Sequence, residues 1–97
     1  MSNTLIFEFE VKREAGEQVV RMLRTALPET RAYDGCIRTA VFREEGDPNR
    51  WTLVEEWESK AKLEKYSQWR VETGFTAKMM DLVVGPPKLT WVTPFKV

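Results

Sequence analysis

The sequence predicts an α+β sandwich in which a four-stranded antiparallel sheet carries helices on one face. Three observations lead there. Two segments with helical apolar spacing each follow a strand-like segment, a short turn-forming loop joins the middle pair of strands, and a final strand follows a Pro-Pro stop. The order is strand, helix, strand, strand, helix, strand. Each helix can link two parallel strands by a right-handed crossover that leaves room for a third strand between them.

The first strand covers residues 4–12. Leu5, Phe7, Phe9 and Val11 alternate with Thr4, Ile6, Glu8 and Glu10, the period of a strand with one buried face. Between about Gly16 and Ala32, Val19, Val20, Met22, Leu23, Ala26 and Leu27 recur at helical spacing. Pro28 lacks the amide that would bond four residues back, so a kink or a fresh helical turn is expected there. Asp34-Gly35 is a turn signal, and residues 36–45 read as the second strand, rich in Ile37, Val41 and Phe42.

Gly46-Asp47-Pro48-Asn49 forms the loop of a hairpin whose second arm is Arg50 to Trp57. Ser59 is a good N-cap for a helix running to about Val71. Thr73-Gly74 bends the chain before Phe75, Met79, Leu82 and Val83 resume a helical stripe, Gly85 reads as its C-cap, and Pro86-Pro87 ends it. Lys88 to Phe95 closes the chain as a strand with Leu89, Trp91, Thr93 and Phe95 on one face, and Pro94 puts its end at a sheet edge.

The result is a ferredoxin-like βαββαβ arrangement, residues 1–97 forming a single domain. On the open sheet face Ile6, Ile37, Val41, Val54 and Val92 are too apolar to stay wet, which predicts a homodimer with the two sheets face to face.

Composition narrows the function. Fifteen Lys and Arg balance fifteen Asp and Glu, and the signs alternate along the chain, so nothing resembles the basic stripe that nucleic acid requires. Glu8 and Glu10 interrupt the apolar N-terminal run, which argues against a signal peptide or membrane segment and for a cytoplasmic protein. Histidine is absent and Cys36 is the one cysteine, so no metal site is expected; Cys36 itself reads as a small buried hydrophobe. There is no phosphate-cradling glycine loop or other nucleotide or flavin signature, and no cofactor is expected. Chemistry here would run on Tyr, Glu, Arg, Trp and backbone.

The segment from Trp51 to Phe75 carries the candidates. Trp51, Leu53, Glu55 and Trp57 share one strand face, and the apolar members turn that face toward the helices, which brings Glu55 inside. A buried carboxylate must find a donor or hold its proton, and an edge position bonded to an arginine or a helix N-terminus is the alternative. Tyr66 lies on the sheet-facing stripe of the following helix, three residues beyond Leu63; its hydroxyl can orient a ligand or bond a buried acceptor. Trp69 and Phe75 can line the same cavity as Trp57 or serve as plain core. Arg31 and Arg70 are the basic residues near it in sequence, able to answer Glu55 or an anionic substrate oxygen.

With Arg31-Ala32-Tyr33-Asp34-Gly35-Cys36, Asp47-Pro48 and Leu53-Val54-Glu55-Glu56-Trp57-Glu58-Ser59, the chain resembles the antibiotic biosynthesis monooxygenase family of small dimeric ferredoxin-like proteins. The resemblance implies a cofactor-independent oxygenase acting on a small aromatic quinol or phenol, with Glu55 and Tyr66 as catalytic residues. Trp57, Trp69, Phe75, Arg31 and Arg70 would bind the substrate. Many family members carry a histidine nine residues after the strand tryptophan, where this chain has Tyr66. That departure favours, as the alternative, a non-catalytic dimeric protein binding a small hydrophobic ligand. Haem degradation, known among relatives, ranks last because the chain has no histidine.

Overall fold

A computed structural model describes residues 3–97. Four strands, β1 (Asn3–Glu10), β2 (Cys36–Arg43), β3 (Arg50–Trp57) and β4 (Lys88–Val92), form one antiparallel sheet in the order β2-β3-β1-β4. Helices α1 (Gly16–Ala32), α2 (Lys60–Glu72) and α3 (Phe75–Leu82) complete the ferredoxin-like sandwich, and a 3-10 turn at Arg13–Ala15 leads into α1.

Leu5 lies opposite Glu55 and Phe7 opposite Leu53, so the alternation of β1 and β3 turns both sets toward the helices. The core has two parts. One gathers Phe9, Val11, Val19, Leu23, Leu27, Leu53 and Val83; the other gathers Leu5, Trp57, Leu63 and Tyr66, with Tyr33, Cys36 and Trp69 packed against it. Trp57 is fully buried in the second.

The turn between α1 and β2 follows from Gly35, whose φ of 94° suits a residue without a Cβ, and the Cys36 amide closes it on the Tyr33 carbonyl at 3.1 Å. Ser59 caps α2 by accepting from the Lys62 amide at 3.2 Å. At the other end of α2, Gly74 takes a left-handed φ of 83° and turns the chain into α3.

Several details differ from the sequence reading. Helix α1 continues through Pro28 to Ala32 instead of starting a fresh turn there, with Pro28 on its exposed side and the flanking Leu27 and Thr30 buried. A β-bulge between Cys36 and Arg38 shifts the register of β2. Val41 therefore pairs with Leu53 on the inner face and joins the core, whereas Phe42 turns outward opposite Thr52 and is 56% exposed. Cys36 is only partly buried. Helix α3 ends at Leu82 with Val83 as its extended cap; Gly85, left-handed with φ 70°, belongs to the turn beyond. β1 ends at Glu10, and Val11 continues as an isolated bridge to Val83. β4 stops at Val92, which leaves Phe95 outside the sheet and largely exposed.

Candidate active site

Helix α3 buries none of its residues fully, although Phe75, Met79 and Leu82 form an apolar stripe. The reason is what lies beneath it. Between the sheet and helices α1, α2 and α3 sits a cavity of about 280 Å³, a volume suited to a small molecule. Leu5, Phe7, Phe9, Leu53 and Glu55 form its floor, Leu23, Ala26, Leu27 and Thr30 one wall, and Leu63, Tyr66 and Arg70 the other. Phe75 and Met79 roof it, and Val71, Met80 and Leu89, all substantially exposed, form an apolar rim.

Glu55 supplies the one carboxylate in that lining. It is 9% exposed, and its Oε1 accepts the Trp57 indole N–H at 3.0 Å; no other hydrogen bond reaches the carboxylate from the described residues. Burial pushes its pKa above the ordinary carboxylate range, opposed by the Trp57 bond and by the charge of Arg70. The Thr39 hydroxyl, across the ladder from Glu55, is buried with no partner among the described residues.

Tyr66 stands at the centre of a closed network. The Arg70 Nε donates to its hydroxyl at 2.7 Å, and the hydroxyl lies 2.6 Å from Thr30 Oγ1. Thr30 Oγ1 also lies 3.0 Å from the Ala26 carbonyl and receives Arg70 Nη2 at 3.1 Å. A carbonyl can only accept, so the Thr30 proton goes to Ala26, and the arrangement that satisfies every contact has Tyr66 donating to Thr30. Burial raises the Tyr66 pKa, against the Thr30 and Arg70 hydrogen bonds that lower it.

Arg70 is 6% exposed and reaches across from α2 to α1. Its Nη2 donates to the Ala26 carbonyl at 2.9 Å and its Nη1 pairs with Glu29 at 3.1 Å. The faces of the guanidinium are covered by Trp69 at 4.6 Å and Phe75 at 4.5 Å to the ring centres. Arg70 thus braces two helices and fixes the tyrosine.

Of the residues singled out by sequence, Glu55, Tyr66, Arg70 and Phe75 meet at the cavity. Three do not line it. Trp57 lies in the packed core, where its indole holds Glu55. Trp69 stacks on Tyr33 at 5.3 Å, because one position before Arg70 the helical step turns it off the face that Tyr66 and Arg70 share. Arg31 is exposed and directs Nε and Nη2 at the Thr39 carbonyl, 3.4 and 3.3 Å away. Sequence reading missed Thr30 and Glu29. Thr30 was findable, since it continues the Leu23, Ala26, Leu27 stripe as a polar residue on a buried face.

Among the described residues no group of three or more Cys, Asp or Glu could hold a metal ion, and no helix is long and apolar enough to cross a membrane.

Fold and cavity together define a small ferredoxin-like protein with a largely apolar cavity around one carboxylate. The profile of the antibiotic biosynthesis monooxygenase family matches residues 3–71, and the chain belongs to this family. A crystal structure of an antibiotic biosynthesis monooxygenase superposes with a TM-score of 0.88 at 19% identity, over 97% of this chain and 99% of that one. Rv0793 from Mycobacterium tuberculosis gives 0.86 at 20% identity, over 100% and 98%. A conserved protein from Methanosarcina mazei Go1 gives 0.86 at 17%, over 95% and 91%. At these identities the likeness is one of fold. An uncharacterised Synechocystis protein is 25% identical over 80 residues, 82% of this chain, and the match spans about half, 54%, of that protein's length.

Proposed function

We propose that the protein is a cofactor-independent monooxygenase that oxidises a small aromatic quinol or phenol in the cavity beneath α3. The observation that carries this reading is Glu55, an under-bonded carboxylate of raised pKa in the floor of an otherwise apolar cavity. Such a group accepts a phenolic proton better than an exposed carboxylate would. The resulting anion is electron-rich enough to pass an electron to dioxygen, and the apolar walls keep water from competing. Recombination forms a carbon–oxygen bond at the ring. The O–O bond then breaks with loss of water, so a quinol leaves as a hydroxyquinone and the substrate supplies every electron.

Tyr66 serves here by position. With its proton held on Thr30, its ring forms the wall and its remaining lone pair can accept a substrate hydroxyl. Arg70 keeps that geometry and lends positive charge. The same saturated network favours the second reading, a binding protein without turnover, since no histidine or free tyrosine proton is offered to the ligand.

We further propose that two copies pair through the open sheet face. There Ile6, Val54 and Ala40 form one cross-strand row, with Phe42 and Ile37, 56% and 50% exposed, beside it.

The test is oxygen uptake with a panel of hydroquinones and anthrones, using protein stripped of metal and flavin. Uptake that falls by roughly a hundredfold in Glu55→Gln, the scale of losing a general base, supports the proposal. Stabilisation by these ligands with no uptake from any of them would sink it in favour of the binding reading.

A further inference from the structure

The polar atoms facing the cavity can be counted by what they offer a ligand. Glu55 offers acceptor oxygens, one held by Trp57 and one bare. Tyr66 has given its proton to Thr30 and keeps an acceptor lone pair. Thr30 has given its proton to Ala26. Arg70 has five N–H groups, of which four are committed to Tyr66, Thr30, Ala26 and Glu29; the fifth is on the Nη1 that faces Glu29. Ser67, exposed, and Thr76, half-buried, also line the cavity but lie outside its buried interior.

The interior of the cavity therefore presents acceptors and almost no donors. We infer that it selects ligands by their hydrogen-bond donors, taking the hydroxyl form of an aromatic ring and rejecting the methyl ether and the carbonyl form of the same ring. This rests on the oxygenase reading only for its biological use: a site that prefers the quinol would hold its product less tightly, since the hydroxyquinone offers one hydroxyl donor where the quinol offers two. A carbonyl turned toward Glu55 would set two acceptors against each other in apolar surroundings, and a methyl ether would leave the second carboxylate oxygen without a donor.

The groups that face Glu55 bear on its protonation. Arg70 and Tyr66 approach from α2, Cys36 from the adjoining strand β2, and Trp57 from its own strand. Above its raised pKa Glu55 is ionised and can only accept. Below that pKa it gains a proton to donate, and the preference should weaken.

Binding is measured without oxygen, so that the outcome does not depend on turnover. Tetramethylhydroquinone and tetramethylquinone form one pair, chosen because the ring methyls block addition of the Cys36 thiol. 1-Naphthol and 1-methoxynaphthalene form the other. At alkaline pH the hydroxyl member of each pair should bind roughly ten- to a hundredfold more tightly, the scale of one hydrogen bond to a charged group. Glu55→Gln, whose amide both donates and accepts, should bring each pair to within about threefold, with an unchanged circular dichroism spectrum marking an intact fold. Equal binding of both members by the native protein, failure to bind either, or full preference in Glu55→Gln would overturn the inference. Donor preference without any oxygen uptake would leave it standing and remove the oxygenase reading alone.

Discussion

Replacing Tyr66 by Phe removes a single oxygen atom and leaves the aromatic ring and its packing in place. Its cost therefore measures the hydroxyl network. In the native structure that oxygen accepts from Arg70 Nε at 2.7 Å and contacts Thr30 Oγ1 at 2.6 Å, all three groups being buried. Without it, the Nε–H of a 6% exposed guanidinium has no partner, while Thr30 keeps its bonds to Ala26 and Arg70. A buried donor on a charged group left unpaired costs about 2–3 kcal/mol. For a domain near this size each kcal/mol moves Tm by about 4–8 °C, so a fall of about 10–20 °C is expected. Urea unfolding followed by tryptophan fluorescence gives the free energy, at fixed protein concentration because self-association would couple to it. Adding Thr30→Val completes a double-mutant cycle, for which a coupling of about 1 kcal/mol is expected. A Tyr66→Phe protein within about 0.5 kcal/mol of the native one, well inside the cost of an unpaired buried donor, would refute the closed network and with it the donor accounting of the cavity.

Further outcomes follow from other parts of the structure. Glu55 holds its proton to higher pH in the folded chain than in the unfolded one. Between the usual carboxylate pKa of about 4 and the raised native value the folded state binds more protons, so stability falls as pH rises through that window. Glu55→Gln should remove that fall in a pH series of unfolding curves, and a native curve flat across the window would contradict it. Gly35→Ala forces a left-handed residue at φ 94° and sets a Cβ 2.6 Å from Lys62 Cβ, so it should cost at least about 1–2 kcal/mol by urea titration; a neutral effect would show that the turn relaxes freely. Light scattering should give a dimer for the native chain at micromolar concentration and a monomer for Phe42→Glu/Val54→Lys; a native monomer would end the sheet-to-sheet pairing.

Much of this architecture was legible because it depends on periodicity and punctuation. The bounds of β3 and α1 follow from alternation and from apolar spacing, and Ser59 and Gly74 mark the two ends of α2. The side on which Val41 and Phe42 fall was not legible, since one bulged residue near Cys36 inverts the faces of the strand and no local pattern announces it. That no fresh turn starts at Pro28 was not legible either: helix geometry tolerates one missing bond when tertiary packing holds both flanks, and Ala26, Leu27 and Thr30 are all buried. At the site, the inward turn of Glu55 could be read from its strand neighbours. The separation of Trp69 from the cavity and the use of Arg70 as a brace between helices could not, because they depend on how α2 is rotated against α1. The hydroxyl polarity of Tyr66 emerges only from counting donors and acceptors across Ala26 and Thr30 on one helix and Tyr66 and Arg70 on another.

The most direct test of the oxygenase reading is the fate of dioxygen in a single turnover. An anaerobic complex of metal-free, flavin-free protein with a hydroquinone is mixed with isotopically labelled dioxygen and the product is analysed by mass spectrometry. One labelled oxygen atom is expected in the hydroxyquinone and the other in water, with product formation much slower in Glu55→Gln. An unlabelled quinone, or labelled product formed at the same rate in Glu55→Gln, would contradict it.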